Sequence, residues 1–214
     1  MLKIGITTRV VNSETYLEKR DAISQDWTKF LEILNVIPIF IPNVLSNPIS
    51  FIQENKLDGF ILSGGDDVGF PPERQKTEKT IIEFGIEHEL PILGVCRGMQ
   101  ILNNHFGGTH TTLSTNEHVT KDGHSISIES EDELFHSHKE GLLVNSYHHN
   151  IITKNSLGTD LIPFALSEVD KTIEGFSHAR LPITGVMWHP ERQQGLDRKL
   201  RFDQLIFNNL FNKK

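Results

Sequence analysis

The chain has 214 residues and a single cysteine, Cys96. One thiol can form no internal disulfide, so a stapled secreted scaffold is excluded and a reducing cytoplasm is the expected compartment. Cations are in deficit as well: 21 Lys and Arg against 28 Asp and Glu give a net charge of -7. Broad nucleic-acid binding wants a basic face, so no nucleic-acid partner is expected. A phosphorylated small molecule needs only a few local cations and stays open. No apolar run approaches the roughly 18 residues that span a bilayer, and no membrane partner is expected. Met1-Leu2-Lys3-Ile4-Gly5-Ile6 reads as a strand and lacks the apolar core of a signal peptide. Internal repeats, low-complexity tracts and long polar linkers are missing too. That leaves one domain over residues 1–214, long enough to bury a sizeable core.

What is present is an alternation. Short apolar runs at Leu2–Thr7, Val36–Ile41, Asp58–Leu62 and Pro91–Val95 read as strands, with Pro38 and Pro42 marking the edges of the second. Between them, Asp21–Leu34 carries Ala22, Ile23, Trp27, Phe30, Leu31 and Leu34 at helical spacing. Pro48–Asn55, Glu73–Glu89 and Arg97–Phe106 are further helices, the last closed by Gly107-Gly108. Continuously apolar strands alternating with helices predict a parallel sheet covered on both faces. Beyond residue 109 the pattern changes to short alternating pieces such as His124–Ile128, then strands at Leu161–Leu166, Thr172–Ser177 and Ile183–Met187, then a helix over Leu196–Phe211. The expected fold is a three-layer α/β domain, mainly parallel, with a mixed antiparallel extension.

Cys96 stands in Gly94-Val95-Cys96-Arg97-Gly98, a G-x-C-x-G pattern between a strand and a helix. With serine in the centre this is the nucleophile elbow, whose glycines relieve crowding at a sharp turn. A thiol at a helix N-terminus is also biased toward thiolate. A base is then required, and one of the eleven histidines stands apart. Gly185-Val186-Met187-Trp188-His189-Pro190-Glu191 is a strand ending in His-Pro-Glu. Proline turns the chain after His189, and Glu191 can bind one imidazole nitrogen while the other faces the thiol. Ser63-Gly64-Gly65-Asp66-Asp67 follows another strand, and its Gly-Gly turn leaves amides bare. The Gly65 N–H and the Arg97 N–H are the candidate oxyanion donors. Gln100 lies one turn of helix from Cys96 and can face the same space.

His88, His105, His110, His118, His136, His138 and His178 are assigned to surface or core. The tightest histidine clusters are His136-x-His138 and His148-His149, and no H-E-x-x-H occurs. No metal site is expected from such spacing.

The segments SGGDD, GVCRGMQILNNHFGG, VNSYHHN and VMWHPER, in that order, resemble the class I glutamine amidotransferase-like fold, which is flavodoxin-like. Within it they are similar to the γ-glutamyl hydrolase branch, the peptidase C26 group that includes γ-glutamyl-γ-aminobutyrate hydrolase. The resemblance implies a Cys96, His189, Glu191 triad and Gly65 and Arg97 as oxyanion donors. It places Gly64, Gln100, Ser146, Tyr147, His148 and His149 around a glutamyl group. It implies a cofactor-free cysteine hydrolase acting on a small γ-glutamyl amide through a glutamyl thioester, as a monomer or homodimer. The run Tyr16–Trp27 resembles members that accompany bacterial capsule biosynthesis genes and hydrolyse γ-glutamyl-CDP-amidate. Arg9, Lys19, Arg20 and Arg74 are the candidate phosphate contacts. The chain departs from the branch in a compact Gly69–Thr77, in Arg74-Gln75 where Arg-Asp is common, and in Lys171 where glycine is common. γ-Glutamyl-γ-aminobutyrate hydrolysis, ammonia supply to a synthase, and a non-catalytic binding role are the alternatives.

Overall fold

The computed structural model describes residues 1–130, 135, 141–192 and 197–212, and the side chains of all of these except residues 121 and 197–200. In chain order the elements are β1 (Leu2–Thr7), β2 (Arg9–Asn12), β3 (Lys19–Ala22), α1 (Gln25–Ile33), β4 (Val36–Ile41), α2 (Pro48–Asn55), β5 (Gly59–Leu62) and α3 (Pro72–Glu87). Then follow β6 (Ile92–Val95), α4 (Arg97–His105), β7 (Thr111–Thr112), β8 (Val119–Ile128), β9 (Leu142–Tyr147) and β10 (Asn150–Ile151). A 3₁₀ turn at Lys154–Ser156, β11 (Leu161–Ser167), β12 (Ile173–His178), β13 (Ile183–Val186) and α5 (Asp197–Phe211) complete them.

Nine strands form one sheet in the order β4-β1-β5-β6-β13-β12-β11-β8-β9. The first five pair in parallel, in the 2-1-3-4-5 order of flavodoxin-like sheets. The remaining pairings are antiparallel. This is the expected parallel sheet with its mixed extension. β5 and β6 are buried at every position, because helices cover both faces. Alternate side chains then serve opposite layers. Ile61, Leu93 and Val95 join Trp27, Phe30 and Phe207 under α1 and α5, whereas Phe60, Leu62 and Ile92 join Ile81, Phe84, Met99 and Leu102 under α3 and α4. Full burial of one such side chain, Phe30, contributes about 2–3 kcal/mol.

Most elements shift by one or two residues from the sequence reading, β13 among them, which ends at Val186 rather than Met187; two differences go further. α1 begins at Gln25 with Ser24 as its N-cap, the hydroxyl accepting from Asp26 N–H. Asp21 and Ala22, the start of the apolar pattern, are taken instead by β3, which pairs with β2 in a hairpin. Pro38 lies inside β4 rather than at its margin, which is tolerated because β4 is the sheet's edge strand. Lys171, at the position where glycine is common in the branch, adopts φ +60°. His136 and His138 lie outside the described residues. Among the described residues, no helix is long and apolar enough to cross a membrane.

Candidate active site

The parallel strands deliver the site from their C-terminal ends. Arg9 follows β1, Gly64 and Gly65 follow β5, Cys96 follows β6, and His189 follows β13. Such ends, near the point where strand order reverses, are where doubly wound sheets place ligands.

Cys96 sits between β6 and α4 with φ +53° and ψ −106°, a strained conformation for a non-glycine residue. The turn is possible because two glycines meet there. A Cβ on Gly98 would lie 2.1 Å from the Leu62 carbonyl oxygen, and one on Gly94 would lie 2.7 Å from Gly98 backbone. The thiol is buried, which pushes its pKa up, but the hydrogen bond and charge of His189 and the Arg97 N–H outweigh burial. The net pKa lies below the ordinary thiol value.

His189 is 3% exposed, and its Nδ1 lies 2.7 Å from Glu191 Oε1. The second ring nitrogen is thereby left for the thiol. Burial disfavours the imidazolium, but Glu191 and Cys96 more than compensate and raise its pKa to about 9. The site therefore favours a thiolate–imidazolium pair. Gly64 makes room for it: a Cβ there would meet His189 Cε1 at 2.6 Å. Asn145 fixes the backbone around the histidine, accepting from His189 N–H at 2.8 Å and donating to the carbonyls of His189 and Arg192 at 2.8 and 2.9 Å. Trp188, one residue earlier, donates to buried Asp203 of α5 at 2.8 Å.

The Ser63–Gly65 loop is held from below. The Arg74 guanidinium donates to the carbonyls of Ser63, Gly64 and Gly65 at 2.6, 3.2 and 2.8 Å, and to Asp66 at 2.7 Å. A trans peptide points its N–H away from its C=O, so drawing the Gly64 carbonyl to Arg74 turns the Gly65 N–H the other way. Glu78 ties this to the elbow, accepting from Arg74 Nε at 2.9 Å and from Arg97 Nη1. Arg74 is fully buried, so it supports the loop and is no phosphate contact.

A cavity of about 660 Å³ opens over these groups. Cys96, His189, Gly65, Arg97, Gln100, Tyr147, His148 and His149 all line it. Gln100 is held in place by Asn150, whose Nδ2 donates to its Oε1 at 3.0 Å. Tyr147 stands edge-on to His189, with ring centroids 5.8 Å apart. Two sequence candidates lie elsewhere. Ser146 is buried and donates to the His118 carbonyl at 2.5 Å, and Gly64 backs His189 without lining the cavity. His148 presents its ring to the cavity, but its Nδ1 lies 3.0 Å from the Asn150 carbonyl and its Nε2 lies 3.5 Å from Glu174. Of the four basic residues named as phosphate contacts, Arg9 alone lines the cavity. Lys19 pairs with Glu73 at 2.7 Å, and Arg20 pairs with Glu18.

The cavity also takes in Asn150, Arg192 and Thr112, which the sequence did not single out, and His110, which the sequence assigned to surface or core. Arg192 lies over the Tyr147 ring, its Cζ 4.7 Å from the centroid. Its place in VMWHPER was a usable signal. His110 and Thr112 arrive because β7 pairs with β10, and that long-range pairing leaves no local trace.

A thiol, an imidazole and a carboxylate in series at the strand ends of a doubly wound sheet place this chain among the class I glutamine amidotransferase-like hydrolases. The chain belongs to the Peptidase C26 family, whose model matches residues 3–191. It is 36% identical over 201 residues to the gamma-glutamyl-CDP-amidate hydrolase of Campylobacter jejuni, covering 91% of this chain and 92% of that one. It is 30% identical to a glutamine-hydrolyzing GMP synthase component of Methanococcus aeolicus, over 75% of this chain and 78% of the relative. Among solved structures, a Thermoplasma acidophilum protein described as a component of GMP synthase superposes with a TM-score of 0.69 at 25% identity, over 99% of this chain and 93% of its own. A glutamine amidotransferase of Thermotoga maritima shares the fold, with a TM-score of 0.65 at 17% identity over 97% of this chain and 82% of its own.

Proposed function

We propose that the chain hydrolyses a γ-glutamyl amide whose leaving group is nucleotide-linked, γ-glutamyl-CDP-amidate before any other. The Cys96 thiolate adds to the γ-carbonyl carbon. The carbonyl oxygen becomes an oxyanion held by the Gly65 and Arg97 N–H groups. The C–N bond breaks as the His189 imidazolium gives its proton to the departing nitrogen, leaving a glutamyl thioester. Water then attacks the thioester, His189 takes its proton, and glutamate leaves as the thiolate reforms. Glu191 orients His189 and stabilises its cation throughout. With this substrate the products are glutamate and cytidine diphosphoramidate, a donor for capsular polysaccharide. The single domain spans residues 1–214 in this reading.

The observation that carries the proposal is one cavity holding Cys96 and His189 together with Arg9 and Arg192. At about 660 Å³ it has room for more than a glutamyl group. Two guanidiniums suit a diphosphate, whose oxygens accept forked hydrogen bonds. The 36% identity to the Campylobacter hydrolase supports the same substrate. The test is glutamate release from glutamine, γ-glutamyl-GABA, γ-glutamyl-CDP-amidate and a folate polyglutamate. The expected order puts γ-glutamyl-CDP-amidate first by kcat/KM, and Cys96→Ala abolishes turnover. Turnover that survives Cys96→Ala would sink the mechanism.

The likeness to the glutamine-hydrolyzing component of GMP synthase favours a second reading, ammonia supply from glutamine to a synthase partner. The same panel decides: glutamine turned over best, and only with a partner present, supports that reading over the first.

A further inference from the structure

Beneath the glutamyl wall of the cavity lies a second cluster that the hydrolase chemistry does not use. His118, just before β8, His124 on β8, His148 between β9 and β10, and Glu174 on β12 converge there, all buried. One ligand-capable atom from each lies within 4.8 Å of every other. The imidazole nitrogens stand 3.8, 3.4 and 3.5 Å from the Glu174 oxygens. His118 Nδ1, His124 Nε2, His148 Nε2 and both Glu174 oxygens are buried and make no hydrogen bond. A group of five such atoms is costly unless something charged occupies their centre.

The tautomers sharpen this. His118 places Nε2 2.9 Å from Asp170 Oδ2, and His148 places Nδ1 3.0 Å from the Asn150 carbonyl oxygen. Each of those nitrogens must carry a hydrogen to bond an oxygen acceptor. The other nitrogen of a neutral ring then turns a lone pair inward, and two lone pairs face a carboxylate. That arrangement repels itself unless a cation sits between them. An outer carboxylate or carbonyl fixing a histidine tautomer is also the usual support of metal-binding imidazoles. The distances suit an ion as well. A tetrahedron of ligands at roughly 2.0–2.1 Å has edges of roughly 3.3–3.4 Å, close to the nitrogen–oxygen separations here.

We infer that His118, His124, His148 and Glu174 form a closed binding site for one divalent transition-metal ion, zinc by preference. Three imidazoles and one carboxylate suit a borderline ion, and four protein ligands leave no open position for a reacting water. The ion is therefore structural. It ties β8, the β9–β10 corner and β12 together and fixes His148, whose neighbours Tyr147 and His149 line the cavity. No spacing rule finds the set, because its members stand at 118, 124, 148 and 174.

The rival occupant is a proton that makes one imidazole cationic, and the experiment separates the two. The full-length chain, free of any histidine tag, is stripped with a chelator and titrated with zinc, and separately with cobalt. The expected result is about one ion bound per chain, a melting temperature that climbs with free zinc, and tetrahedral cobalt absorption. His124→Ala and Glu174→Gln lose the cobalt spectrum. Asp170→Asn, which removes the charge behind His118 and can keep a side-chain oxygen for Thr172, weakens zinc binding by roughly 10–100-fold. Sub-stoichiometric zinc with no change in melting temperature for the wild-type chain overturns the inference in favour of the proton. Zinc retained by a His124→Ala/Glu174→Gln double variant overturns it too, because the ion then sits elsewhere.

Discussion

Glu191 Oε1 lies 2.7 Å from Nδ1 of His189, two residues upstream, with both side chains buried. β13 already ends at Val186, and a turn at Pro190–Glu191, closed by Arg192 N–H donating to the His189 carbonyl at 3.2 Å, allows the close approach. The carboxylate fixes the tautomer and stabilises the cation that forms when the thiol loses its proton. Glu191→Gln keeps the shape and removes the charge. The expected outcome is a fall in kcat of roughly 10⁴-fold with KM little changed, the loss a triad shows when its orienting carboxylate becomes an amide. Steady-state glutamate release checks it, and a loss under tenfold would show that Glu191 does not serve His189 in this way.

The same pair sets the pH profile. The proposed mechanism needs a thiolate and an imidazolium together. The Cys96 pKa lies below the ordinary thiol value and that of His189 lies at about 9. As pH rises, kcat/KM is expected to climb while Cys96 ionises, hold a plateau, and fall as His189 loses its proton near pH 9. In Glu191→Gln the imidazolium loses its main support, so the alkaline limb moves to lower pH. An alkaline limb that stays in place would assign it to another group. A kcat/KM profile of each protein is sufficient.

Gly64 backs the histidine ring so closely that an added Cβ would come within 2.6 Å of His189 Cε1. Gly64→Ala is therefore expected to displace the imidazole and cost about 10²-fold in kcat, the scale of a 1 Å misplacement at a reacting group. The fold has no reason to fail, since the clash falls on one side chain. Circular dichroism and kcat measured on one preparation check both halves of the statement.

Arg74 holds the Ser63–Gly65 loop, which carries a proposed oxyanion donor, from outside the cavity. It is fully buried, bonded to three successive carbonyls, and paired with Glu78. Arg74→Ala leaves Glu78 with Arg97 as its remaining guanidinium and strips the Ser63–Gly65 carbonyls of this buried donor, so it is expected to cost about 1–3 kcal/mol of stability. Arg74→Lys keeps the charge but loses the fork, so it is expected to hold the fold better while lowering kcat more than it raises KM. Urea unfolding and steady-state kinetics separate the two effects. If Arg74→Lys changed neither, the loop would not need this support.

The parallel half of the fold and the Cys96–His189–Glu191 line were legible in the sequence because their signals are local. An apolar strand, a glycine-framed turn and a His-Pro-Glu exit each lie within a few residues. Arg74 was misread for the opposite reason. Its neighbours Pro71, Pro72, Glu73 and Gln75 look like a solvated helix start, and only the tertiary approach of Ser63–Gly65 buries it. The same holds for Ser146, whose hydroxyl turns inward to the His118 carbonyl. Strand alternation decides which side a residue faces, and the register of β8 on β9 carries a shift between Thr120 and His124. No single-strand pattern encodes that shift.

Arg9 bears on substrate choice. Its guanidinium lines the cavity beside Gly65, within 3.1 Å of where a Cβ on that residue would sit. It thus stands next to the proposed oxyanion donor. Glutamine leaves as ammonia and offers Arg9 no anion. A nucleotide-linked amide leaves as a diphosphate-bearing group, and a charge-assisted bond to it contributes about 1.5–3 kcal/mol. Arg9→Ala is therefore expected to lower the preference for γ-glutamyl-CDP-amidate over glutamine by at least about tenfold, chiefly through KM for the nucleotide-linked substrate. An equal loss on both substrates would mean that Arg9 shapes the oxyanion loop rather than reading phosphate. A parallel measurement on Arg192→Ala, which lines the same cavity beside Tyr147, tells whether one guanidinium or two meet the diphosphate.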